Sequence, residues 1–401
     1  MLKRHVCFFI ICLLLSVQSG LAAEEQQANS AFPSAAGVLT GDAGPAEQGS
    51  CEVSLCAVGD NLIHDSVYKK FRSKDGGWDF SPIYSHVREL IESHDISVIN
   101  QETIFVDDTK KVSTYPCFGT PVEMGDALVG AGFNVVLTAT NHAWDKQGYG
   151  VDTTLRYWKA KHPEIVVLGT HDSPEDRSRI EIMQINGMRI AMFNYTYGLN
   201  GFVLPAKEWF KVDLLADKER FLNDVRRAET MADFTVCFLH IGEEYRYTPS
   251  AFQKQYAREL ADAGADLIIC AHPHVVEPFE MLAAADGHPC LVYYSCGNFV
   301  SGQGRVDRLL GGMAQVRIAR QKSEDGSYVA RIVWHDFVPT VTHRTAKTVE
   351  AYFLSDYSES LARQHSVKGV SLAKLNGLWK KITGTEVHAP VSCRRQQTER
   401  F

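Results

Sequence analysis

Residues 137–148 read LTATNHAWDKQG. The apolar run Phe133–Ala139 before them is rich in Val and Leu and suits a buried strand, and at its end the chain turns at once to an amide, an imidazole, an indole and a carboxylate. Such groups need partners when buried. The place just past the carboxyl end of a strand is where open α/β sheets bind ligands. The same pattern recurs along the chain. VSLCAVG (53–59), DISVIN (95–100), EIVVLG (164–169), RIAMFNY (189–195), FTVCFLH (234–240), DLIICA (266–271) and CLVYYSC (290–296) read as further strands, nearly continuous in apolar residues. Strands of that kind form sheets covered on both faces, so the class expected is α/β.

Amphipathic segments lie between many of these runs. Ser81-Pro82 reads as the N-cap and first residue of a helix over 82–93, and Thr248-Pro249 as the start of another that ends before Gly264. Beyond Gly304 the pattern changes to GGMAQVRIAR (311–320) and YVARIVWHDFVP (328–339), with a turn at Asp325-Gly326. This predicts an antiparallel addition to a sheet. From about Thr340 the chain is more polar, with helices expected at 357–367 and 372–382.

The chain has 401 residues, of which 45% are hydrophobic, enough for a substantial core. Its formal charge of −7 and lack of a dense Lys/Arg stripe argue against a nucleic-acid partner. Lys3 and Arg4 precede an apolar run from Val6 to Val17 and then small residues, the pattern of a signal peptide. Residues 1–22 are read as that signal and residues 23–50, rich in Ala, Gly, Ser, Gln and Pro, as a flexible linker. The folded part is then expected outside the cytoplasmic membrane, extracellular or associated with the cell envelope, and anchored if the signal is not cleaved. A domain over 51–340 and a C-terminal helical extension over 341–401 complete the division. Cys56, Cys237, Cys270 and Cys296 sit within apolar runs and read as buried thiols. Cys51 and Cys117 are candidates for a disulfide that the sequence does not assign.

Metal-capable residues collect at the strand ends: Asp60, with His64 beyond it; Asn100 and Glu102; Asn141, His142 and Asp145; His240, Glu243 and Glu244; His272 and His274. Singly, a Gly-Asp reads as a turn, a strand-end His as a hydrogen-bonded structural residue, Glu243-Glu244 as a solvated face and Asp145 as a cap. Together they point to a divalent metal site. Carboxylate, amide and imidazole without thiolate suit Mn, Fe or Zn, as one ion or two.

The segments VGDNLIH, INQE, TNHAWDKQG, HIGEEY, GADLIICAHPHV and SCGNFV resemble, in order and spacing, the CapA family of poly-gamma-glutamate capsule biosynthesis proteins, over about Val53 to Val300. That family is similar to the calcineurin-like metallophosphoesterases. The resemblance implies a four-layer α/β/β/α sandwich with a C-terminal antiparallel and helical extension. It also implies metal ligands at Asp60, Glu102, Asn141, His240, His272 and His274, with His142 facing substrate. Glu243 and Glu244 join His142 as candidate catalytic residues, and Asn100, Asp145, Arg246 and Asn298 as candidate substrate contacts. The chain departs from the metallophosphoesterase pattern at Leu62, where a His is usual, and at the bridging carboxylate, for which only Glu102 is available. One metal or two, and completion of the first position by His64 or Glu102, both stay open. The activity expected is synthesis, release or attachment of an anionic envelope polymer such as poly-gamma-glutamate. The alternatives are hydrolysis of an envelope phosphoester and a non-catalytic role beside a membrane synthase.

Overall fold

The computed structural model describes residues 51–74, 76–322 and 326–393. The expected signal peptide and linker, and Asp325 of the expected turn, lie outside the described residues. Among the described residues, sixteen strands form two large sheets and a short ribbon. In chain order they are β1 (Glu52–Leu62), β2 (Ile96–Asn100), β3 (Phe105–Val106), β4 (Thr120–Pro121), β5 (Val135–Leu137), β6 (Val166–Leu168), β7 (Glu181–Ile185), β8 (Met188–Thr196), β9 (Phe234–His240), β10 (Leu267–Ala271), β11 (Phe279–Ala283), β12 (Pro289–Tyr293), β13 (Asn298–Ser301), β14 (Leu310–Lys322), β15 (Tyr328–Arg344) and β16 (Val349–Phe353).

The first sheet runs β16-β15-β14-β1-β2-β5-β6, with β13 also paired to β1, and the second runs β11-β12-β10-β9-β8-β7. β1, β2, β5 and β6 are mutually parallel, as are β8, β9, β10 and β12. The period of two in a strand then sorts the side chains. Val53, Leu55 and Ala57 of β1 face Ile190, Met192, Val236, Phe238, Leu267 and Ile269 of the second sheet in one core. Cys56 and Val58, on the opposite face, meet Leu90, Met124, Leu128 and Trp158 from helices. On the far side of the second sheet, Phe193, Cys237, Leu239 and Ile268 meet Phe221, Val225, Tyr256 and Leu260 of helices Lys218–Ala228 and Ala251–Ala263. Helix, sheet, sheet, helix: this is the four-layer α/β/β/α sandwich.

Two helix starts differ from expectation. Ser250, not Thr248, caps helix Ala251–Ala263, because its hydroxyl accepts from the Gln253 N–H while Gln253 Oε1 accepts from the Ser250 N–H. Gly264 ends that helix at φ +112°, as the sequence indicated. Over 82–93 one helix was expected, but a 3-10 turn at Ser81–Tyr84 and a separate helix at Arg88–Glu92 are found. Asp79 Oδ1 accepts from both the N–H and the hydroxyl of Ser81, so that hydroxyl does not cap a helix.

β14 and β15 pair antiparallel, β15 continues across position 340 to Arg344, and β16 pairs with it. The following helices, Glu359–Gln364 and Leu372–Thr383, do not stand apart. Leu375, Trp379 and Ile382 join the core between the sheets, where Trp379 lies 5.0 Å from Phe337. Cys56, Cys237, Cys270 and Cys296 are buried, and Cys51 is a free thiol, so the candidate disulfide between Cys51 and Cys117 is not formed. No helix among the described residues is long and apolar enough to cross a membrane.

Candidate metal centre

Because the strands within each block are parallel, β1, β2 and β5 end at one edge of the first sheet, and β8, β9 and β10 at one edge of the second. The two edges meet through their polar ends. Asp60 was expected past the end of its strand, but β1 continues to Leu62, because Asp60 aligns with Asn298 of β13 and with Asn100 of β2. Gly59 permits this: a Cβ there would lie 1.9 Å from the Gly297 carbonyl oxygen, which accepts from the Asp60 N–H at 2.9 Å.

Asp60 is fully buried and uses both carboxylate oxygens. Oδ1 accepts from Asn100 Nδ2 at 2.8 Å, and Oδ2 lies 3.0 Å from His274 Nδ1 and 3.4 Å from the His272 backbone nitrogen. His240 lies among these side chains, with Nδ1 3.2 Å from Asn100 Nδ2 and Nε2 2.9 Å from Asn141 Oδ1. Glu102 is the exception. It too is fully buried, yet neither of its carboxylate oxygens has a hydrogen-bond partner, while His240 Nε2 and His274 Nε2 stand 3.8 and 3.7 Å from its Oε1. His272 Nδ1 is likewise buried and unpartnered. Glu102, His272 and His274 each offer one ligand-type atom within 4.8 Å of the others. Asp60, Asn100, Asn141 and His240 surround that triad.

The electrostatics favour a cation. Burial pushes Glu102 well above the usual carboxylate range, opposed by His274 and reinforced by Asp60. Burial drives His240 and His272 well below the ordinary imidazole value, keeping them neutral, the form that ligates metals. Burial also pulls His274 down, but Glu102 and Asp60 outweigh it and raise it to about 9. The proton held there answers the two carboxylates, a task a divalent ion takes over on binding. His272 and His274 both have left-handed backbone, φ +104° and +58°. Such strain costs roughly 1–3 kcal/mol per residue and persists only where surroundings fix it. The Tyr245 N–H donates to the carbonyl of the intervening Pro273 at 2.8 Å, and the His272 N–H points at Asp60.

Asn141 and His142 are adjacent but have different surroundings. His142 packs edge-on to Phe118 at 4.7 Å, and its Nδ1 bonds Asp145 Oδ2 at 2.7 Å, the oxygen that also accepts from the Phe118 N–H. Asn298 lies beneath His274: Oδ1 is 3.1 Å from its Nδ1, and Nδ2 donates to the carbonyls of His274 and Arg308 and to Gln303 Oε1. Of the loop after β9, Glu243 is exposed and ion-paired with Arg246 at 2.5 Å. Glu244, also exposed, acts electrostatically on Glu102 and His274. His64 is tied to backbone through Nδ1, 3.1 Å from the Leu62 carbonyl oxygen and 3.2 Å from the Gly302 nitrogen.

Two residues of the site went unnamed at the sequence level. Asn200 Oδ1 accepts from Asn141 Nδ2 and its own Nδ2 lies 3.2 Å from His142 Nδ1, and the Tyr197 ring lies 4.6 Å from that of His272. Both follow β8, whose end was marked as a strand terminus, but neither is a usual metal ligand.

The model of the family described as "Bacterial capsule synthesis protein PGA_cap" matches residues 54–303. The chain is 30% identical over 254 residues to the PGA biosynthesis protein CapA of Bacillus subtilis strain 168, a match that covers 63% of this chain and 64% of that protein. It is 28% identical over 231 residues to the capsule biosynthesis protein CapA of Bacillus anthracis, covering 55% and 54%. The matched part thus spans less than two thirds of either relative. Among solved structures, NAD nucleotidase of Haemophilus influenzae aligns over 83% of this chain and 60% of its own, with 13% identity and a TM-score of 0.43. A hypothetical protein from Thermus thermophilus aligns over 71% and 98%, with 14% identity and a TM-score of 0.40. With the family model matched from β1 through β13, across every strand end that delivers a residue to the centre, the chain belongs to the bacterial capsule synthesis protein PGA_cap family.

Proposed function

We propose that this protein is exported and acts in the synthesis, release or attachment of an anionic cell-envelope polymer, poly-gamma-glutamate first among the candidates, with a divalent metal at the strand-end cluster. The observation that carries the reading is Glu102, a buried carboxylate with both oxygens unpartnered among three histidines. Glu102, His272 and His274 would hold the ion, with Asn141 and His240 beside them, and Asp60 would orient His274 through Nδ1. Mn, Fe or Zn fits this donor set. When bound, such an ion supplies Lewis-acid polarisation of a carbonyl or phosphoryl oxygen. The chain's own part is positional. Asp145 fixes the His142 ring through Nδ1, which leaves Nε2 to give or take a proton at the substrate, and Asn200 accepts from Asn141 beside it.

The relatives' names support the capsule polymer, and the signal-like residues 1–22 support export. Hydrolysis of an envelope phosphoester is the second reading, favoured by the Asn141–His142 division, one residue turned to the ligand cluster and the other to a carboxylate-held imidazole.

Purified protein should contain near-stoichiometric metal and shorten or transfer gamma-glutamyl chains, and His142→Ala should abolish this without loss of metal. Turnover of phosphoesters alone would move the second reading to first place. Polymer binding without turnover in the metal-loaded wild type would refute catalysis and favour a component working beside a membrane synthase.

A further inference from the structure

The segment from Gly304 to Arg308, between β13 and β14, begins where the family match ends. Its two arginines point to different places. The Arg308 guanidinium lies 3.4 Å over the Tyr245 ring, and that ring is 6.0 Å from the ring of His274. Arg308 Nε is buried without a partner, and the side chain forms no ion pair among the described residues. Its position is fixed from below, because Asn298, which contacts His274, donates to the Arg308 carbonyl and to Gln303, and Gln303 in turn donates to the Tyr245 hydroxyl.

Arg305 instead lines a cleft of about 390 Å³ with Lys368 and Lys374, over a floor of Tyr247, Val306 and Val367. Asp307 is the one carboxylate of the lining. It already accepts from Tyr247 at 2.9 Å and pairs with Arg305 at 3.3 Å. Lys368 and Lys374 are exposed and form no ion pair among the described residues. In a chain of formal charge −7, three cations around one cleft are a local reversal of the protein's field. The cleft exists because the helix Leu372–Thr383 packs its Leu375 and Trp379 into the core and leaves Lys374 on the outer side.

We infer that this cleft is a docking track for an extended polyanion, which lies along Arg305, Lys368 and Lys374 and whose acidic group at the metal centre is received by Arg308. The inference rests on the proposed polymer function and adds where the chain lies outside the centre. The recognised chemistry is a repeated anion. A planar guanidinium stacked on an aromatic ring suits a carboxylate or a phosphate, whereas flexible lysines in an open cleft contribute charge with little demand on geometry.

The test is direct binding to the full chain, measured by calorimetry with a defined gamma-glutamyl oligomer, its carboxamide counterpart and inorganic polyphosphate. Wild type should bind the gamma-glutamyl oligomer, more weakly as ionic strength rises, and should not bind the carboxamide. Lys368→Gln/Lys374→Gln and Arg308→Ala should each weaken binding at least tenfold, with metal content and melting temperature unchanged. If wild type binds and the lysine double variant binds equally well, the track is refuted while the polymer function stands. If wild type ignores the glutamyl oligomer but binds polyphosphate, and the variants lose it, the track stands and the polymer assignment falls. If wild type binds neither polyanion, or binds the carboxamide as well as the carboxylate, the track is refuted.

Discussion

Replacing Glu102 by Gln isolates the one group that distinguishes a metal centre from a polar rim. The substitution keeps size and shape and removes the charge. Without metal, the wild-type carboxylate is buried with neither oxygen bonded, a state that costs roughly 1–3 kcal/mol. The unfolding entropy, about 2.1 cal/mol/K per residue over roughly 340 described residues, is about 0.7 kcal/mol/K. Gln leaves two uncharged polar atoms in the same place, so only the extra cost of the charge is relieved, and metal-free Glu102→Gln should melt at, or up to about 4 °C above, metal-free wild type. Metal acts in the opposite direction. An ion present at about 100 times its Kd stabilises the folded state by about 2.7 kcal/mol, or about 4 °C on the same entropy. Wild type should gain that shift with Mn²⁺ or Zn²⁺ and lose it to a chelator, whereas Glu102→Gln should shift by less than about 1 °C. Thermal unfolding followed by circular dichroism, with metal content measured on the same samples, provides both readouts. A Glu102→Gln protein that binds metal to the wild-type level and keeps the full shift would refute the assignment.

Trp379 is fully buried in the core between the sheets, and its indole N–H donates to Thr385. Trp379→Ala should cost about 3–5 kcal/mol, seen as a fall of about 4–7 °C in melting temperature. A change below about 1 °C would mean that the C-terminal helix is not part of the cooperative core. Burial raises the half-buried Asp266 to about 7, against the hydrogen bond from the Thr235 N–H and with Glu229 adding to the rise. Its folded value lies above its unfolded one, so its contribution to stability is complete below about pH 3.8 and is lost as pH rises through about 7. Solvent access reduces the full 1.36 kcal/mol per pH unit, leaving a loss of about 2 kcal/mol over that window, which denaturant titrations of Asp266→Asn should show abolished. Glu243→Gln breaks an exposed pair with Arg246 and should change stability by less than about 1 kcal/mol and activity not at all. Glu244→Gln removes charge that acts on Glu102 and His274 and should raise turnover of anionic substrates several-fold. Equal effects from the two substitutions would contradict the different settings of their side chains.

That the sheets are covered on both faces was legible in the sequence because the strands are nearly continuous in apolar residues, while the four layers came from the family resemblance. Val53, Leu55 and Ala57 on one face of β1 and Cys56 and Val58 on the other are all apolar, so which face meets which layer is decided by the packing. The strand-end polar residues were legible for the same reason, since an apolar run that breaks into Asn141-His142 or His272-Pro273-His274 marks an edge. What one chain of letters could not supply was the distance across the sandwich. That Asp60 lies inside a strand, engaged on both oxygens, depends on β13 returning from more than two hundred residues away to place Gly297 against Gly59. That neither carboxylate oxygen of Glu102 has a partner depends on where β9 and β10 bring their histidines. Asn200, Arg308 and Lys374 are ordinary surface letters in sequence and acquire meaning only from their neighbours in space. Periodicity is local and is carried by each strand separately. Ligand geometry and charge complementarity are pairwise properties of residues far apart in the chain, and only the packing of one sheet on the other determines them.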